Sequence, residues 1–376
     1  MRLSDIFKKN AGTPAPQQDP AGQTTEQPAP LPRIPQPRPA PAAPAPSHAN
    51  IAKIPTEKKQ SYSAEQLYTE LIVEIKSIIT SLEKGEPFDG QLPVIPRLVD
   101  ALETGYEPLL LLADRATPDV YLYGHSVNVA ILSVMLGQSL QIERNKRIIL
   151  GYCALLHDIG MVKTFDVALK SGKLTNAEYN QIKKHILHGQ AMLQKLTGVS
   201  SEFREVISLV MAQIHERMNG TGYPHGTKGE ELHEFGRIIA ITDVYEAMTH
   251  PRSYRTRLIP HEAVKTVITA AGSEFDAPMV KVFVEHLSIY PPGSYVRLNT
   301  EEIARVTGIK RGLPTRPTVL IIIDPQGQRT AQPRVIDLSS SPMLFVKEAV
   351  DETKLTLTDR RLALELKAMR WWVKGL

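Results

Sequence analysis

Cysteine is nearly absent from this chain: Cys153 stands alone, so no disulfide can close within it. It lies in the apolar run Ile148-Ile149-Leu150-Gly151-Tyr152-Cys153-Ala154-Leu155-Leu156 and reads as a buried structural thiol. No stretch approaches the roughly 20 apolar residues that a membrane helix requires. Residues Met1 to Lys9 lack a continuous apolar core, so the expectation is no secretory leader and a cytoplasmic protein. A dominant charge is missing as well. With 44 Lys and Arg against 40 Asp and Glu, the net charge is only +4 and no basic stripe stands out, so nucleic acid is not an expected partner. A mildly positive surface still suits an anionic small ligand.

What is present is an ordinary globular composition, 42% hydrophobic and 22% charged over 376 residues, enough for two or three structural units. Within residues 1–56, those from 11 onward are dominated by Pro, Ala and Gln, as in Pro32-Arg33-Ile34-Pro35-Gln36-Pro37. Such a segment buries too little apolar surface to offset its ordering entropy and reads as a disordered, extended tether. A helical lead-in follows over 57–115. Ser63, with Gln66 three residues on, makes a capping box, and Leu67, Leu71, Ile72, Ile75, Ile78 and Ile79 recur at helical spacing. Pro87, Gly90, Pro93 and Pro96 interrupt, and a second helix is expected from about Arg97 to Asp114.

Residues 116–290 alternate amphipathic helical stretches with short polar breaks, the pattern of an all-helical domain. Helices are expected over Val127–Leu140, Asn145–Leu156, Asn176–Leu196, Glu202–Ile214, Arg237–Met248 and His261–Ala271. After Pro291-Pro292-Gly293 the character changes. Tyr295–Leu298, Ile303–Thr307, Val319–Ile323 and Val335–Leu338 read as strands of a small β unit over 291–350. Residues 351–376 return to an amphipathic helix carrying Leu362, Leu366, Met369 and Val373 on one stripe, with Trp371-Trp372 near its end. The fold class is therefore mainly α, with a small C-terminal β unit.

Five places put metal-binding side chains inside apolar helical context: His125, His157-Asp158, His185, His215 and Asp243. A lone histidine on a helix is usually a satisfied core or surface residue. An ionised Asp in a core is costly unless it is paired or metal-bound, and Asp158 and Asp243 both follow apolar runs. Two such carboxylates with several histidines favour a shared cation. Mixed imidazole and carboxylate ligation suits Fe, Mn or Zn, and a bridging carboxylate permits two ions.

The ordered text Gly124-His125-Ser126-Val127-Asn128-Val129, Leu156-His157-Asp158-Ile159-Gly160, His185 with Gly189 after it, His215-Glu216 and Gly220-Thr221-Gly222-Tyr223-Pro224, ending at Asp243, resembles the HD-GYP subgroup of the HD phosphohydrolase superfamily. The resemblance covers about residues 116–290. It implies a first metal held by His125, His157, Asp158 and Asp243, with Asp158 bridging to a second held by His185 and His215. His157 and Asp158 are then the catalytic pair. A hydroxide between two divalent ions, Fe or Mn, would attack the phosphodiester of cyclic di-GMP and open it to the linear dinucleotide pGpG, and onward to GMP. Arg252 and Arg255 stand where similar proteins bind phosphate, a task suited to guanidinium forks. Tyr223 either lines a guanine pocket or packs its own loop. A homodimer, and diguanylate cyclase-type proteins docking through the Gly-Tyr-Pro loop, are the expected protein partners.

The sequence departs from that family in three places. Ile214 stands where a histidine normally precedes His215-Glu216, which weakens the second metal site and leads to the expectation that Ile214→His raises activity. His188, three residues after His185, is a candidate replacement ligand. Met161 stands where Lys follows His-Asp-Ile-Gly, with Lys163 two residues on. Tyr121 replaces the Glu that supports a third metal. Ile214 and Met161 carry the opposing reading, a degenerate domain that binds cyclic di-GMP or a protein without turnover. Hydrolysis of a different nucleotide is a third reading.

Overall fold

A computed structural model describes residues 63–105, 107–113, 121–168, 170, 172, 174–250 and 257–368. The tether, Arg252, Arg255 and the Trp371-Trp372 pair lie outside them.

Helix α1 (Ala64–Glu83) starts at the expected capping box. Ser63 Oγ accepts from the Gln66 backbone N–H at 3.1 Å, and Gln66 Oε1 accepts from the Ser63 N–H at 3.1 Å. Its Leu67, Leu71, Ile72, Ile75, Ile78, Ile79 and Leu82 face the core. The helix expected from Arg97 begins earlier and divides. α2 (Val94–Thr104) takes Pro96 within its first turn, where no intrahelical N–H is lost, and Gly105 ends it before α3 (Glu107–Ala113). Between α1 and α2, the short strand β1 (Phe88–Asp89) pairs in parallel with β2 (Leu196–Thr197), a contact too brief for sequence periodicity to signal.

The centre of the helical domain is α4 (Tyr121–Ser139), whose residues Val127, Val129 to Ile131 and Val134 to Leu136 are entirely buried. A helix apolar on all sides has to be enclosed, and α1, α3, α5 (Arg144–Leu156), α10 (Glu234–Thr249) and α12 (Ala277–Leu287) surround it. After α5 come a 3-10 turn (Ile159–Lys163), α6 (Phe165–Ala168), α7 (Asn176–Lys183), α8 (His185–Leu193) and α9 (Ser201–Met211). The single helix expected over Asn176–Leu196 is thus two, divided at Lys184. α11 (Pro260–Ala270) precedes α12.

The β unit is a five-stranded antiparallel sheet ordered β6-β5-β4-β3-β7. β3 (Tyr295–Leu298), β4 (Ile303–Gly308), β5 (Thr318–Ile323) and β6 (Val335–Asp337) fall where alternation places them. β7 (Val346–Val350) was not expected: it carries Lys347 and Glu348 on an exposed edge, and little of it is buried. One apolar cluster gathers Val296, Leu298, Ala304, Val306, Val319, Ile321 and Leu338. A register shift between Ile303 and Ala304 lets Ile303 and Ile323 join a second cluster with Tyr295 and Val350. Leu362 and Leu366 of α13 (Arg360–Ala368) complete that cluster, so the described part of the C-terminal helix packs on the sheet. Arg257 reaches across from the helical domain to pair with Glu352.

Candidate metal centre

Four helices and two turns deliver the expected ligands to one place. His125 comes from α4 and Asp243 from α10, stitched together by the Ser133 and Thr242 hydroxyls at 2.7 Å. His157 and Asp158 end α5, where the buried run Ala154 to Leu156 carries the chain inward. His185 opens α8, and His215 lies in the turn after α9.

Gly160 explains how the second and third pieces meet. A Cβ there would lie 1.9 Å from the His185 carbonyl oxygen and 2.4 Å from the Gly189 nitrogen, so only glycine lets the 3-10 turn cross α8 this closely. The crossing brings His185 Nε2 to 3.3 Å from Asp158 Oδ1. Asp158 Oδ2 faces His125 Nε2 at 3.6 Å and His157 Nε2 at 3.5 Å. Asp243 Oδ1 is 3.3 Å from His125 Nε2, while its Oδ2 is 3.7 Å from His215 Nδ1, so this carboxylate spans both halves of the cluster. His185 and His215 bring their Nε2 atoms to 3.1 Å.

The donor atoms form two groups within 4.8 Å, His125–His157–Asp158 and Asp158–His185–His215, and Asp158 belongs to both. The rings are turned for ligation. His157 Nδ1 lies 2.7 Å from the Ala154 carbonyl and His185 Nδ1 lies 2.8 Å from that of Ile182, leaving each Nε2 lone pair to face inward. His157 Nε2 and Asp158 Oδ1 are buried and make no hydrogen bond, a costly state that a divalent cation would relieve. The residues therefore fit metal ligation.

The electrostatics agree. Burial alone would raise the Asp158 carboxyl, but the positive potential of His157, His185, His125 and His215 holds it below the usual range. Burial would lower His125, yet Glu246 and Asp243 outweigh it and lift the imidazole to about 10. Burial, reinforced by His185, lowers His215 to about 3. The excess negative charge that keeps a proton on His125 is the charge a cation would neutralise. Metal uptake by the metal-free protein at neutral pH is therefore expected to release protons, and affinity to rise as pH rises towards 10. Calorimetric titration with Mn2+ in buffers of different ionisation enthalpy reads this directly; a binding heat independent of buffer would refute it.

Two residues of the site, Glu246 and Glu216, carried no role in the sequence analysis. Glu246, fully buried on α10, bonds His125 Nδ1 through Oε2 and accepts from Asn128 Nδ2 at 2.9 Å through Oε1. Burial works against its ionisation, but His250 and His125 prevail and hold the carboxyl at about 2. Glu216 fastens the Gly-Tyr-Pro loop, its Oε1 accepting from the His225 and Gly226 N–H groups at 2.7 and 3.0 Å. For Glu246 the available signal was an acid inside the apolar run Val244–Met248, which must find a partner when buried.

Tyr223 lies flat on the His215 ring, centroids 5.0 Å apart and planes at 12°. Lys183 Nζ stands 4.9 Å from the Tyr223 ring centre and 4.7 Å from that of Tyr179. Loop packing is thus the part of the Tyr223 reading visible here. Gly222 permits it, because a Cβ there would meet Glu216 Cα at 2.3 Å. His188 belongs to neither donor group. It lines a cavity of about 390 Å³ with Lys163, Thr164 and Lys184 instead, which corrects its candidacy as a replacement ligand.

Ile214 is 1% exposed and part of the main apolar core. The expected gain from Ile214→His therefore meets a cost. An imidazole there loses apolar packing and buries a polar ring, and we expect destabilisation by about 1–3 kcal/mol. Thermal melting of the metal-free variant checks this; an undiminished Tm together with higher metal content would favour the ligand-restoring outcome.

Comparison with known proteins places residues 111–279 in a match to the HD domain, and residues 295–358 in a match to the KOW domain associated with HD domains. A cyclic di-GMP phosphodiesterase of Pseudomonas aeruginosa is 31% identical over 271 residues, covering 71% of this chain and 60% of the relative. A 3'3'-cGAMP-specific phosphodiesterase of Vibrio cholerae is 32% identical over 206 residues, 54% of this chain and 43% of the relative. The cyclic di-GMP phosphodiesterase PdeB of Borreliella burgdorferi is 30% identical over 200 residues, 53% of this chain and 52% of the relative. The chain thus spans about half of the length of these relatives. Among the described residues, no helix is long and apolar enough to cross a membrane.

Proposed function

This chain belongs to the HD-domain family, in its HD-GYP subgroup, and from that premise we propose that it hydrolyses cyclic di-GMP to linear pGpG, and onward to GMP, with two divalent metal ions. The observation that carries the reading is Asp158, whose carboxylate is shared by two groups of histidine donors. His125, His157, Asp158 and Asp243 would hold one ion, and Asp158, His185 and His215 the other; both ions are Fe or Mn. When bound, such ions activate water for attack on phosphorus and offset charge on the phosphodiester oxygens.

The chain's own residues supply orientation. Backbone carbonyls fix His157 and His185, Glu246 fixes His125, and the Glu216-tethered loop presses Tyr223 onto His215. Tyr223 stands at the guanine-facing wall of the site, and Arg252 and Arg255 take the substrate phosphates. We place the protein in the cytoplasm, with cyclic di-GMP as ligand, a homodimer as assembly, and diguanylate cyclase-type proteins as partners through the Gly-Tyr-Pro loop. Along the chain the proposed divisions fall at 57, 116, 291 and 351, with the metal ligands themselves within 116–290.

Metal content of anaerobically purified protein, with product analysis on cyclic di-GMP, tests the proposal. About two ions per chain and a linear product are expected. Cyclic di-GMP bound but uncut would favour the non-catalytic reading, for which Ile214 in place of a ligand is the specific support. Faster cleavage of 3'3'-cGAMP in the same assay would change the substrate and leave the metal centre as described.

A further inference from the structure

We infer that Tyr68, on a helix outside the matched HD domain, is a positioning residue for the metal ligand His125. The path consists of hydrogen bonds, the outermost partly buried and the inner ones buried. The Tyr68 hydroxyl donates to Asn128 Oδ1 at 3.0 Å. Asn128 Nδ2 donates to Glu246 Oε1 at 2.9 Å, and Glu246 Oε2 holds His125 Nδ1. Asn128 and Glu246 are each 1% exposed, so water cannot substitute for a missing partner.

The chemistry of Asn128 makes this relay directional. Its amide has two N–H groups and one carbonyl oxygen. One N–H serves Glu246; the nitrogen also lies 3.4 Å from His250 Nε2, within reach of the second. The oxygen has to face a donor, and Tyr68 is that donor. A flipped amide would set Oδ1 against the Glu246 carboxylate. Tyr68 therefore fixes the amide, the amide fixes the carboxylate, and the carboxylate fixes the His125 ring with Nε2 towards Asp158 and Asp243. His250, whose Nδ1 lies 3.1 Å from Glu246 Oε1, braces the same carboxylate from its own helix. The ring of Tyr68 packs against the apolar core, which carries its hydroxyl to the depth of α4. On this account the metal centre extends beyond residues 111–279 and includes α1.

The inference rests on the metal-centre reading but not on the substrate, and Mn2+ alone is the probe. Metal-free protein is titrated with Mn2+ by calorimetry or electron paramagnetic resonance, and its Tm is recorded. His125→Ala should abolish one binding step. Tyr68→Phe, which keeps the ring, should weaken that same step by about 3- to 10-fold, and Asn128→Leu by about 10- to 100-fold, the usual cost of losing an outer partner of a ligand. The other step and the metal-free Tm of Tyr68→Phe should stay as in the wild type. Unchanged affinity in Tyr68→Phe overturns the inference, as does a wild-type protein that takes up no Mn2+. Equal weakening of both steps with a lower Tm would make Tyr68 a packing residue only. Two-step Mn2+ binding without cleavage of cyclic di-GMP would sink the proposed function and leave the relay standing.

Discussion

Asp158→Ala is expected to empty both metal positions at once. Every other ligand candidate in the cluster can be lost and still leave one donor group intact, but Asp158 is common to both. Its two oxygens face different halves, Oδ1 towards His185 and Oδ2 towards His125 and His157. Removing the carboxylate also leaves four imidazoles converging with Asp243 as the one remaining carboxylate among them, so a bound cation would meet one formal charge fewer. Loss of an outer-shell partner costs about 10- to 100-fold in metal affinity or activity, and loss of a shared ligand should exceed that. Metal content measured by mass spectrometry should fall from the proposed two ions per chain to nearly none, and the proposed cyclic di-GMP cleavage should fall below detection. Asp158→Asn, which keeps the shape and removes the charge, should behave in the same way. Full metal content in either variant would end the bridging role.

The convergence of the candidate cluster was legible because His157, Asp158 and Asp243 are polar residues at the ends of apolar runs, where burial without a partner is expensive. The helices were legible for a related reason: α1 shows one-sided apolar spacing, α5 ends in a long apolar run, and α4 carries apolar residues on all sides. What sequence spacing could not show was contact between distant pieces. Nothing near His125 reveals that Glu246, 121 residues away, holds its ring. Tyr68 is likewise an ordinary member of a helix until Asn128, 60 residues on, lies within reach of its hydroxyl. Helix boundaries failed where local rules compete. Pro96 looks like an interruption but is harmless in a first turn, and the apolar pattern runs on through Lys184 although the helix divides there. β7 was missed because an exposed edge strand needs no alternation; its pairing with β3 is made by the backbone.

Distance in sequence also hides why Gly160 cannot be anything else. The two backbones meet where Gly160 touches the first turn of α8, the turn that presents His185. An alanine methyl would lie 1.9 Å from the His185 carbonyl and 2.4 Å from the Gly189 nitrogen, and neither obstacle is a side chain that could rotate aside. The turn and α8 must then separate. Overpacking of a tight core typically costs about 1–3 kcal/mol and sometimes more, and backbone obstruction places Gly160→Ala at or beyond the upper end, about 3 kcal/mol. The same separation pulls His185 from Asp158, so the group Asp158–His185–His215 should lose its ion first, while His125, His157 and Asp158 keep theirs. About one metal per chain, a Tm several degrees lower and strongly reduced turnover are the expected readings. Gly308→Ala is the control, since its added methyl would meet only Thr318, at 3.5 Å in ordinary contact. A Gly160→Ala protein with wild-type Tm and two ions would mean that the close crossing does not hold His185 in place, and the second donor group would need another explanation.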